Sequence, residues 1–439
     1  MDIYSIQWAK LQCLTEGFPS VHIRKESETF GRNHPSMKIK FAVVSGSHFR
    51  IDRIKEPGRT YYTITDVSTN GTYVNNEPLG RNKRIEIKLY DEISILRKGV
   101  EENINYIFIP YEDLQEEKIN GGPQSEYDFM DLCGSGNFAV VRKVREKKTD
   151  KIYAMKIIDK EKAEGISARP SAIKDECNIL IDLNHENIVA LHELYETPKY
   201  IYMVLELMTG GELFDQIVEE SHLTEERCQN IMKQLFSALE YLHSKSIIHR
   251  DLKPENILCE SKESDVVKIT DFGLSRIISK ESLAKTMCGT PLYVAPEILT
   301  GKEYNASKID VWSCGVILYV MACGFPPFSG SDDDGNRKLF DNIQHANYEF
   351  RSPYWDDKSD ELKDLISKML VVDIDRRYSI EECMNHPFMR KNYGDVGNGW
   401  IAIQQGRTSE REQRKRFMSE VNFEEVPVLE RSKPKSFNF

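Results

Sequence analysis

A glycine-rich segment lies between two segments that the sequence predicts as strands. It consists of Gly134, Ser135, Gly136, Asn137, Phe138, Ala139, Val140 and Val141. Glycine lets backbone amides approach phosphate groups closely, although for this segment alone a hairpin turn is an equally open interpretation. Further along, Lys156 lies in a strand-like run and Glu176 in an amphipathic one. The lysine could reach the phosphates of a nucleotide and the glutamate could hold it by an ion pair, whereas in isolation both would be surface charges.

Three further motifs follow along the chain. Residues 249–256 read HRDLKPEN, residues 271–273 read DFG and residues 295–297 read APE. Together with the glycine-rich segment and the lysine, their order and spacing resemble the eukaryotic protein kinase family throughout residues 127–389. One position departs from the family pattern, because Ala139 replaces the third glycine of the loop. This change removes no phosphate-facing amide, so we expect activity to survive.

The resemblance implies catalytic roles for four residues. Phosphoryl transfer requires the protein mainly to position the reactants and to stabilise charge. Asp251 is expected to accept or orient the proton of the substrate hydroxyl, and Lys253 to neutralise charge on the moving phosphoryl group. Asn256 and Asp271 are expected to hold Mg²⁺.

The resemblance also implies how ATP binds. Lys156, fixed by Glu176, is expected to anchor the α and β phosphates. Leu205 resembles the gatekeeper of the adenine pocket. The backbone from Glu206 to Met208 resembles the hinge that hydrogen-bonds adenine.

Substrate preference is implied by the same family likeness. Ser or Thr is favoured over Tyr, because residues 251–256 and 289–293, DLKPEN and GTPLY, match the Ser/Thr-kinase forms. Glu212 and Glu255 match the acidic pair that receives an Arg three residues before the target in basophilic relatives, with plain surface carboxylates as the alternative. Val320 replaces a further acid, so Arg at −2 should matter less.

An activation site is expected in the segment between Asp271 and Glu297. Thr286 lies there, and Arg250 and Arg276 could converge on a phosphate attached to it. Two arginines on one phosphate would order the segment. We therefore expect phosphorylation of Thr286 to activate the chain, through transient self-association and phosphorylation in trans.

The N-terminal part of the chain is predicted to be all-β. Short β-branched or aromatic runs alternate with turn residues, which is typical of a sandwich. These runs are 21–24, 38–44, 48–52, 61–66, 93–96 and 106–109. Between them GRN at 31–33, SGSH at 45–48 and STNGT at 68–72 resemble the forkhead-associated (FHA) domain, which reads phosphothreonine. His48 is expected to be a packed structural histidine.

The FHA resemblance implies a phosphopeptide site. A dianionic phosphate is bound by a guanidinium fork together with hydroxyl and amide donors. Arg32 and Ser45 are expected to bind the phosphate, and Thr69 and Asn70 to hold the peptide backbone. FHA relatives that select an acidic residue three places after the phosphothreonine (+3) carry a basic residue just before the serine that corresponds to Ser45. Here residues 42–44 read AVV, so that preference is not implied.

An FHA domain joined to a kinase domain resembles the checkpoint kinase 2 class of DNA-damage effector kinases. No Ser-Gln or Thr-Gln occurs in the chain, so the N-terminal cluster that upstream damage kinases phosphorylate in many members is absent. The single FHA domain is most like that of the fungal meiosis-specific FHA kinases. This likeness implies a role in the cell cycle, in the DNA damage checkpoint or meiosis. It also implies a nuclear location and a phosphothreonine-containing adaptor or chromosome-axis partner.

These motifs predict a multidomain protein, with an N-terminal all-β FHA sandwich plus a bilobal α+β protein-kinase fold. The predicted parts are the FHA phosphothreonine-binding domain at 1–111, a linker at 112–125, the protein kinase domain at 126–389 and a weakly ordered basic tail at 390–439. The linker, EDLQEEKINGGPQS, is polar and contains helix- and strand-breaking residues. We therefore expect a flexible tether that brings two kinase domains together on a multiply phosphorylated partner.

Composition limits the remaining possibilities. The formal net charge of −11 argues against bulk binding to nucleic acid or to an anionic membrane. An odd number of scattered cysteines, 9, predicts neither disulfides nor a zinc site, so we expect a reducing compartment and no secretion. The longest apolar stretch, 311–325, is too short to span a bilayer and is predicted as a buried helix.

Two other functions fit the same sequence. The first is a catalytically weak scaffold whose FHA domain alone acts, although Lys156, Asp251 and Asp271 are all present. The second is a calmodulin-regulated kinase, because the apolar residues 400–403 precede a basic run at 411–416. A solvated charge run or a nuclear-import signal explains so short a cluster equally simply.

Overall fold

The computed structural model describes residues 7–15, 17–96, 103–135, 139–164, 181, 183–262, 264–271, 292–300, 307–330 and 337–392. These residues form two compact units. The first contains the described residues up to Leu183 together with Ala190–Leu207, and the second contains Asn184–Val189 and those from Met208 onward. Across these ranges, no helix combines the length and the apolar character needed to cross a membrane.

Two antiparallel sheets with a common core form the N-terminal part of the first unit, which confirms the all-β prediction. The six-stranded sheet contains, in spatial order, β2 (Val21–Ile23), β1 (Ala9–Cys13), β10 (Asn105–Pro110), β9 (Glu92–Ser94), β6 (Tyr73–Val74) and β7 (Glu77–Pro78). The four-stranded sheet contains β3 (Ser27–Phe30), β4 (Phe49–Glu56), β5 (Arg59–Asp66) and β8 (Arg84–Ile87). Leu11, Ile64 and Phe108 are among the side chains that fill the shared core.

One predicted strand in this domain is wrong. Residues 38–44 form a loop with a turn at 42–43, and the amide of Val44 donates to the carbonyl of Phe41 at 3.2 Å. Ile39 and Val44 are buried, whereas Val43 between them is exposed. The apolar residues of this run anchor a loop instead of lining one face of a strand. A β-branched composition alone therefore predicted the wrong element.

A third sheet, with five strands, completes the first unit. It contains, in spatial order, β11 (Tyr127–Ser135), β12 (Ala139–Glu146), β13 (Ile152–Asp159), β15 (Tyr200–Leu205) and β14 (Leu191–Glu196), and every neighbouring pair is antiparallel. A short helix, α2 (Lys160–Glu164), follows β13. All six residues of β15 are buried, so both faces of this sheet are covered at β15.

The segment predicted as a flexible tether is folded. It forms a helix, α1 (Tyr111–Ile119), and a 3-10 turn at Pro123–Ser125. The glycines do end the helix, since Gly121 adopts a φ of 87°. The prediction failed because polar side chains of α1 have partners on neighbouring elements. These pairs include Glu112–Arg53 at 2.9 Å, Asp113–Tyr62 at 3.1 Å and Glu116–Lys199 at 3.1 Å.

The second unit is mainly helical. Its described helices are α3 (Leu213–Glu220), α4 (Glu225–Ser244), α5 (Pro296–Thr300), α6 (Ser307–Cys323), α7 (Arg337–Gln344), α8 (Asp360–Met369), α9 (Ile380–Met384) and α10 (Pro387–Arg390). A hairpin of β16 (Ile257–Cys259) and β17 (Val267–Ile269) accompanies them. Every residue of α6 from Ile309 to Cys323 is buried, which confirms the predicted buried helix. The helix ends just before Gly324, which has a φ of 88°.

Candidate active site and phosphopeptide site

Four strands of the five-stranded sheet in the first unit align the predicted ATP-binding residues. Gly134 pairs with Val141, Val141 with Lys156, and Lys156 with Met203. Directly opposed residues in antiparallel strands lie about 4.5–5.5 Å apart at Cα and share a face of the sheet. The side chain of Lys156 is therefore on the face of Val141, in line with the start of the glycine-rich segment.

The same face carries the residue that resembles the gatekeeper. Leu205 pairs with Ala154, two residues before Lys156, so both side chains lie on the face of the lysine. Lys156 is only 5% exposed. An ammonium group this far removed from water requires compensating partners, as a site for anionic phosphates provides. Glu206 directly follows β15, and its amide donates to the carbonyl of Ala190 at 2.9 Å.

Several predicted site residues cannot be placed. Gly136, Asn137, Phe138, Glu176 and Thr286 lie outside the described residues. Of the rest of the loop, Ser135 pairs with Val140 and Ala139 with Ile158. Met208 is buried and belongs to the second unit.

The predicted catalytic residues meet in the second unit. Lys253 donates from Nζ to the Asp251 carboxylate at 2.8 Å. Asn256 donates from Nδ2 to the same carboxylate oxygen at 3.2 Å and to the backbone carbonyl of Asp251 at 2.7 Å. Because half of the Asp251 side chain is exposed, its carboxylate is both oriented and open to a substrate hydroxyl.

The Asp251 carboxylate also affects the charge of Lys253. Burial by itself would lower the pKa of Lys253, but attraction from Asp251, with contributions from Glu255 and Asp271, raises it above its ordinary value. Lys253 is therefore a permanent cation at neutral pH. A fixed positive charge beside the carboxylate that is predicted to accept the proton suits a reaction that moves a highly charged phosphoryl group.

A buried carboxylate of helix α6 binds the backbone just before Asp251. Asp310, fully buried in α6, accepts hydrogen bonds from the amides of His249 at 3.1 Å and Arg250 at 2.9 Å, and contacts His243 Nε2 at 2.7 Å. Arg250 has a φ of 65°, a strained conformation for a side chain of this size. The two amide bonds hold the loop in that conformation, so Asp310 positions the catalytic aspartate without touching it.

The residues predicted to hold Mg²⁺ have a suitable donor set. Asn256 is fully buried, and its Oδ1 accepts no hydrogen bond from any described residue. A free amide oxygen and the Asp271 carboxylate are hard oxygen ligands of the kind that Mg²⁺ prefers, with phosphates and water completing its shell. No cluster of three or more His, Cys, Asp or Glu side chains among the described residues would hold a metal without a nucleotide.

The predicted specificity pair is only partly accessible. Glu212 is 3% exposed, and the bridge between Glu212 and Leu258 fixes its backbone. Glu255 lies in the turn at Pro254–Asn256, against which α3, the helix that begins after Glu212, packs. The structure therefore brings the two glutamates to neighbouring elements, with Glu212 far more enclosed than a plain surface carboxylate.

The phosphopeptide residues lie on two loops of the N-terminal domain that contact one another. The Thr69 amide donates to Ser45 Oγ at 3.0 Å, and Asn70 Nδ2 donates to the carbonyl of Val43 at 2.6 Å. The Arg32 amide donates to the carbonyl of Ser45 at 3.0 Å, and Arg32 is exposed. The structure thus places Arg32, Ser45, Thr69 and Asn70 together.

His48 joins these loops from inside. Its Nδ1 accepts from the Ser45 amide at 3.2 Å and its Nε2 donates to the Gly71 carbonyl at 3.0 Å, which fixes the neutral tautomer. Burial lowers the pKa of His48, so it stays neutral. The prediction of a packed structural histidine is consistent with this arrangement.

Sequence reasoning missed Asp66, a second support of the phosphopeptide loops. This fully buried carboxylate accepts from the Ser68 hydroxyl at 2.6 Å, the Ser68 amide at 2.9 Å and the Thr72 hydroxyl at 2.9 Å. An aspartate two residues before a serine in a turn-rich segment is the pattern of an Asx turn, and that signal was readable.

Comparison with known proteins identifies both domains. The protein kinase domain family matches residues 127–389, and the FHA domain family matches residues 28–96. The probable serine/threonine-protein kinase fhkC of Dictyostelium discoideum is 45% identical over 388 residues, which is 87% of this chain and 64% of that protein. Myosin light chain kinase A of the same organism is 46% identical over 267 residues, 61% of this chain and 88% of that protein.

A solved structure matches across both domains. The crystal structure of Rad53 1-466 in complex with AMP-PNP aligns with a TM-score of 0.53 at 32% identity, over 87% of this chain and 100% of that one. This chain spans less than two thirds of the first curated relatives, 64% of fhkC and 55% of fhkE. The resemblance to FHA kinases of the checkpoint kinase 2 class is confirmed. The chain belongs to the protein kinase family, among the Ser/Thr kinases that carry an FHA domain.

Proposed function

We propose that this chain is an active kinase that transfers the γ-phosphoryl group of ATP, with Mg²⁺, to Ser or Thr of protein substrates, and that phosphothreonine recognition recruits it. The observation that carries the proposal is the contact of Asp251 with both Lys253 and Asn256. Asn256 and Asp271 would hold the metal ion, which neutralises phosphate charge when bound. The test is transfer of labelled phosphate from ATP to a Ser/Thr peptide by the full chain, with the Asp251→Asn chain as the blank.

Recruitment is proposed to depend on Arg32. A guanidinium that binds a dianionic phosphate makes charged hydrogen bonds, each worth about 1.5–3 kcal/mol. Arg32→Ala should therefore weaken binding of a phosphothreonine peptide by about 10- to 150-fold, measured by titration calorimetry. Lys40→Ala, at an exposed lysine of the adjoining loop, is the matched control and should change affinity little. Equal binding of phosphorylated and unphosphorylated peptides by the unaltered chain would disprove phosphothreonine recognition.

Activation is proposed to require phosphorylation of Thr286 in trans. Two chains recruited to one multiply phosphorylated partner meet at a raised effective concentration. Arg32→Ala should then lower Thr286 phosphorylation in cells, while chains already phosphorylated keep full activity on peptides in vitro. Thr286→Ala protein made in bacteria should have little activity. Unchanged Thr286 phosphorylation in the Arg32→Ala chain would show that recruitment is not the activating step.

Substrate choice is proposed to depend on Arg three residues before the target. The buried carboxylate of Glu212 and the half-buried carboxylate of Glu255 favour a cationic side chain, because a guanidinium would offset the burial of their charge. A positional peptide array should show its largest drop in phosphorylation when Arg at −3 is replaced, and a smaller drop at −2. A profile indifferent to −3 would remove this role from both residues.

The pathway is proposed from the architecture. A solved structure of Rad53 1-466 aligns over the whole of its own length and over 87% of this chain. We propose a nuclear kinase of the DNA damage checkpoint or of meiotic recombination, recruited by a phosphothreonine-containing adaptor or chromosome-axis protein. Fluorescence localisation, and identification of the phosphopeptides that residues 1–111 retain, would separate these roles.

A further inference from the structure

The five-stranded sheet of the first unit, which we call the kinase sheet, has two covered faces. Cross-strand pairing assigns Val140, Ile157 and Tyr202 to the face opposite Lys156. Met155 and Val204, a second pair on that outer face, are also buried. In a kinase domain standing alone, this outer face would present a large apolar patch to water.

The FHA domain covers the outer face. Leu89, Tyr90, Ile107 and Ile109 of the FHA domain belong to one hydrophobic cluster with the outer-face residues of the kinase sheet. Strand β10 alternates between two cores. Tyr106 and Phe108 belong to the FHA core, while Ile107 and Ile109 belong to the cluster shared with the kinase sheet. We call this shared cluster the FHA–kinase joint. The FHA core is a separate cluster, so the sandwich does not depend on the joint for its own packing.

A buried carboxylate fixes helix α1 within the joint. Glu117 is 1% exposed, and its Oε2 accepts from Thr197 Oγ1 at 2.7 Å and from the Tyr202 hydroxyl at 2.9 Å. Burying a carboxylate is costly unless it is hydrogen-bonded, so these two bonds specify where α1 lies on the sheet. The adjacent Glu116 instead pairs with Lys199 on the surface, where both side chains are half exposed.

Polar contacts close the edge of the joint. The Tyr200 hydroxyl donates to the carbonyl of Leu89 at 3.1 Å. Lys162 Nζ lies 2.8 Å from the Asp91 carboxylate, whose side chain is only 7% exposed. Lys162 belongs to α2, the helix that follows the strand carrying Lys156. The FHA domain thus contacts β13 along its outer face and again just beyond its end.

We propose that the FHA domain is a structural part of the ATP-binding lobe, and that its docking at the joint sets the affinity of the kinase for ATP. In β13 the side chains of Met155 and Ile157 project into the joint on either side of Lys156, which projects from the other face. Loss of the joint would free the outer face of the strand that positions the phosphate-binding lysine. Glu117 is accordingly a positioning residue. The part of this proposal that concerns affinity for ATP rests on the proposed kinase function.

The test uses the full chain with substitutions in α1. Glu117→Gln removes the buried charge without changing size, and Leu114→Asp places a charge against the joint from the same helix. Glu116→Gln is the matched control on the neighbouring surface glutamate. We expect faster amide hydrogen exchange in β13 and β15, by about tenfold or more, in the two joint variants and not in the control. ATP-analogue affinity should fall by about three- to tenfold, with KM for ATP rising more than kcat falls.

Phosphopeptide binding separates docking from general unfolding. The FHA core is distinct, so both joint variants should bind a phosphothreonine peptide as the unaltered chain does. Unchanged exchange and ATP affinity in both variants would overturn the proposal, and so would parallel loss of phosphopeptide binding. If the unaltered chain bound no ATP analogue, the proposed kinase function would fail, and the affinity claim with it. The exchange and phosphopeptide measurements would still decide whether the domain is docked.

Discussion

Asp251→Asn should lower kcat for peptide phosphorylation by about 10²- to 10⁴-fold, the range usual for loss of a positioned general base. The substitution keeps the size of the side chain and replaces a carboxylate oxygen that Lys253 and Asn256 both contact. It therefore removes the proton acceptor and its attraction for Lys253 together. The KM for ATP should change little, because the loss falls on the transfer step.

Folding should not be the cause of this loss. The Asp251 side chain is 54% exposed, so the thermal midpoint of the Asp251→Asn chain should match that of the unaltered chain. Asp341→Asn, at an exposed carboxylate of α7, is the matched control and should leave kcat unchanged. A kcat within about threefold of the unaltered value would exclude Asp251 as the base.

Arg377→Ala should destabilise the second unit by about 3–5 kcal/mol, the usual cost of leaving one partner of a buried ion pair alone. The guanidinium is fully buried and donates to both carboxylate oxygens of Glu297, at 2.7 and 2.9 Å. It also donates to the carbonyls of Lys308 at 2.8 Å and Val371 at 2.9 Å, and stacks over the ring of Trp312. The planar guanidinium of arginine donates to all of these acceptors at once. Arg377→Lys should therefore retain only part of the stability that Arg377→Ala loses.

Urea unfolding followed by circular dichroism measures this effect. The neighbouring Arg376 is exposed, and Arg376→Ala should change the unfolding free energy by less than about 0.5 kcal/mol. Replacing both Arg377 and Glu297 with apolar residues should cost less than Arg377→Ala alone, because no buried charge then remains unpaired. A loss below about 1 kcal/mol in Arg377→Ala would contradict the role of this pair.

The sequence was informative wherever a short motif contains, at fixed spacing, the residues that form a site. The motifs around Asp251 and Asp271 predicted the catalytic loop, and the structure brings Asp251, Lys253 and Asn256 into contact. The family resemblance likewise implies that Arg377 pairs with Glu297, and the structure contains this pair. The FHA loops were readable because residues with distinctive hydrogen-bonding groups recur at characteristic separations.

Local patterns failed where partners distant in sequence decide the structure. Residues 38–44 have a strand-like composition but form a loop, and the polar segment after residue 111 forms α1. A polar segment is predicted to be unstructured when its side chains have no evident partners. In this chain those partners, among them Arg53, Tyr62 and Tyr202, lie far away along the sequence.

The sequence by itself determined the two domains and the chemistry of their sites. All six residues of Tyr200–Leu205 are buried, so both faces of the kinase sheet are covered there, which the sequence did not predict. Nor did the sequence determine what covers the outer face. Hydrophobic burial is non-directional, so an apolar strand indicates that a partner exists without identifying it. Only the tertiary structure identified β10 and α1 of the N-terminal half as that partner, because its specificity comes from Glu117 and its two hydroxyl donors.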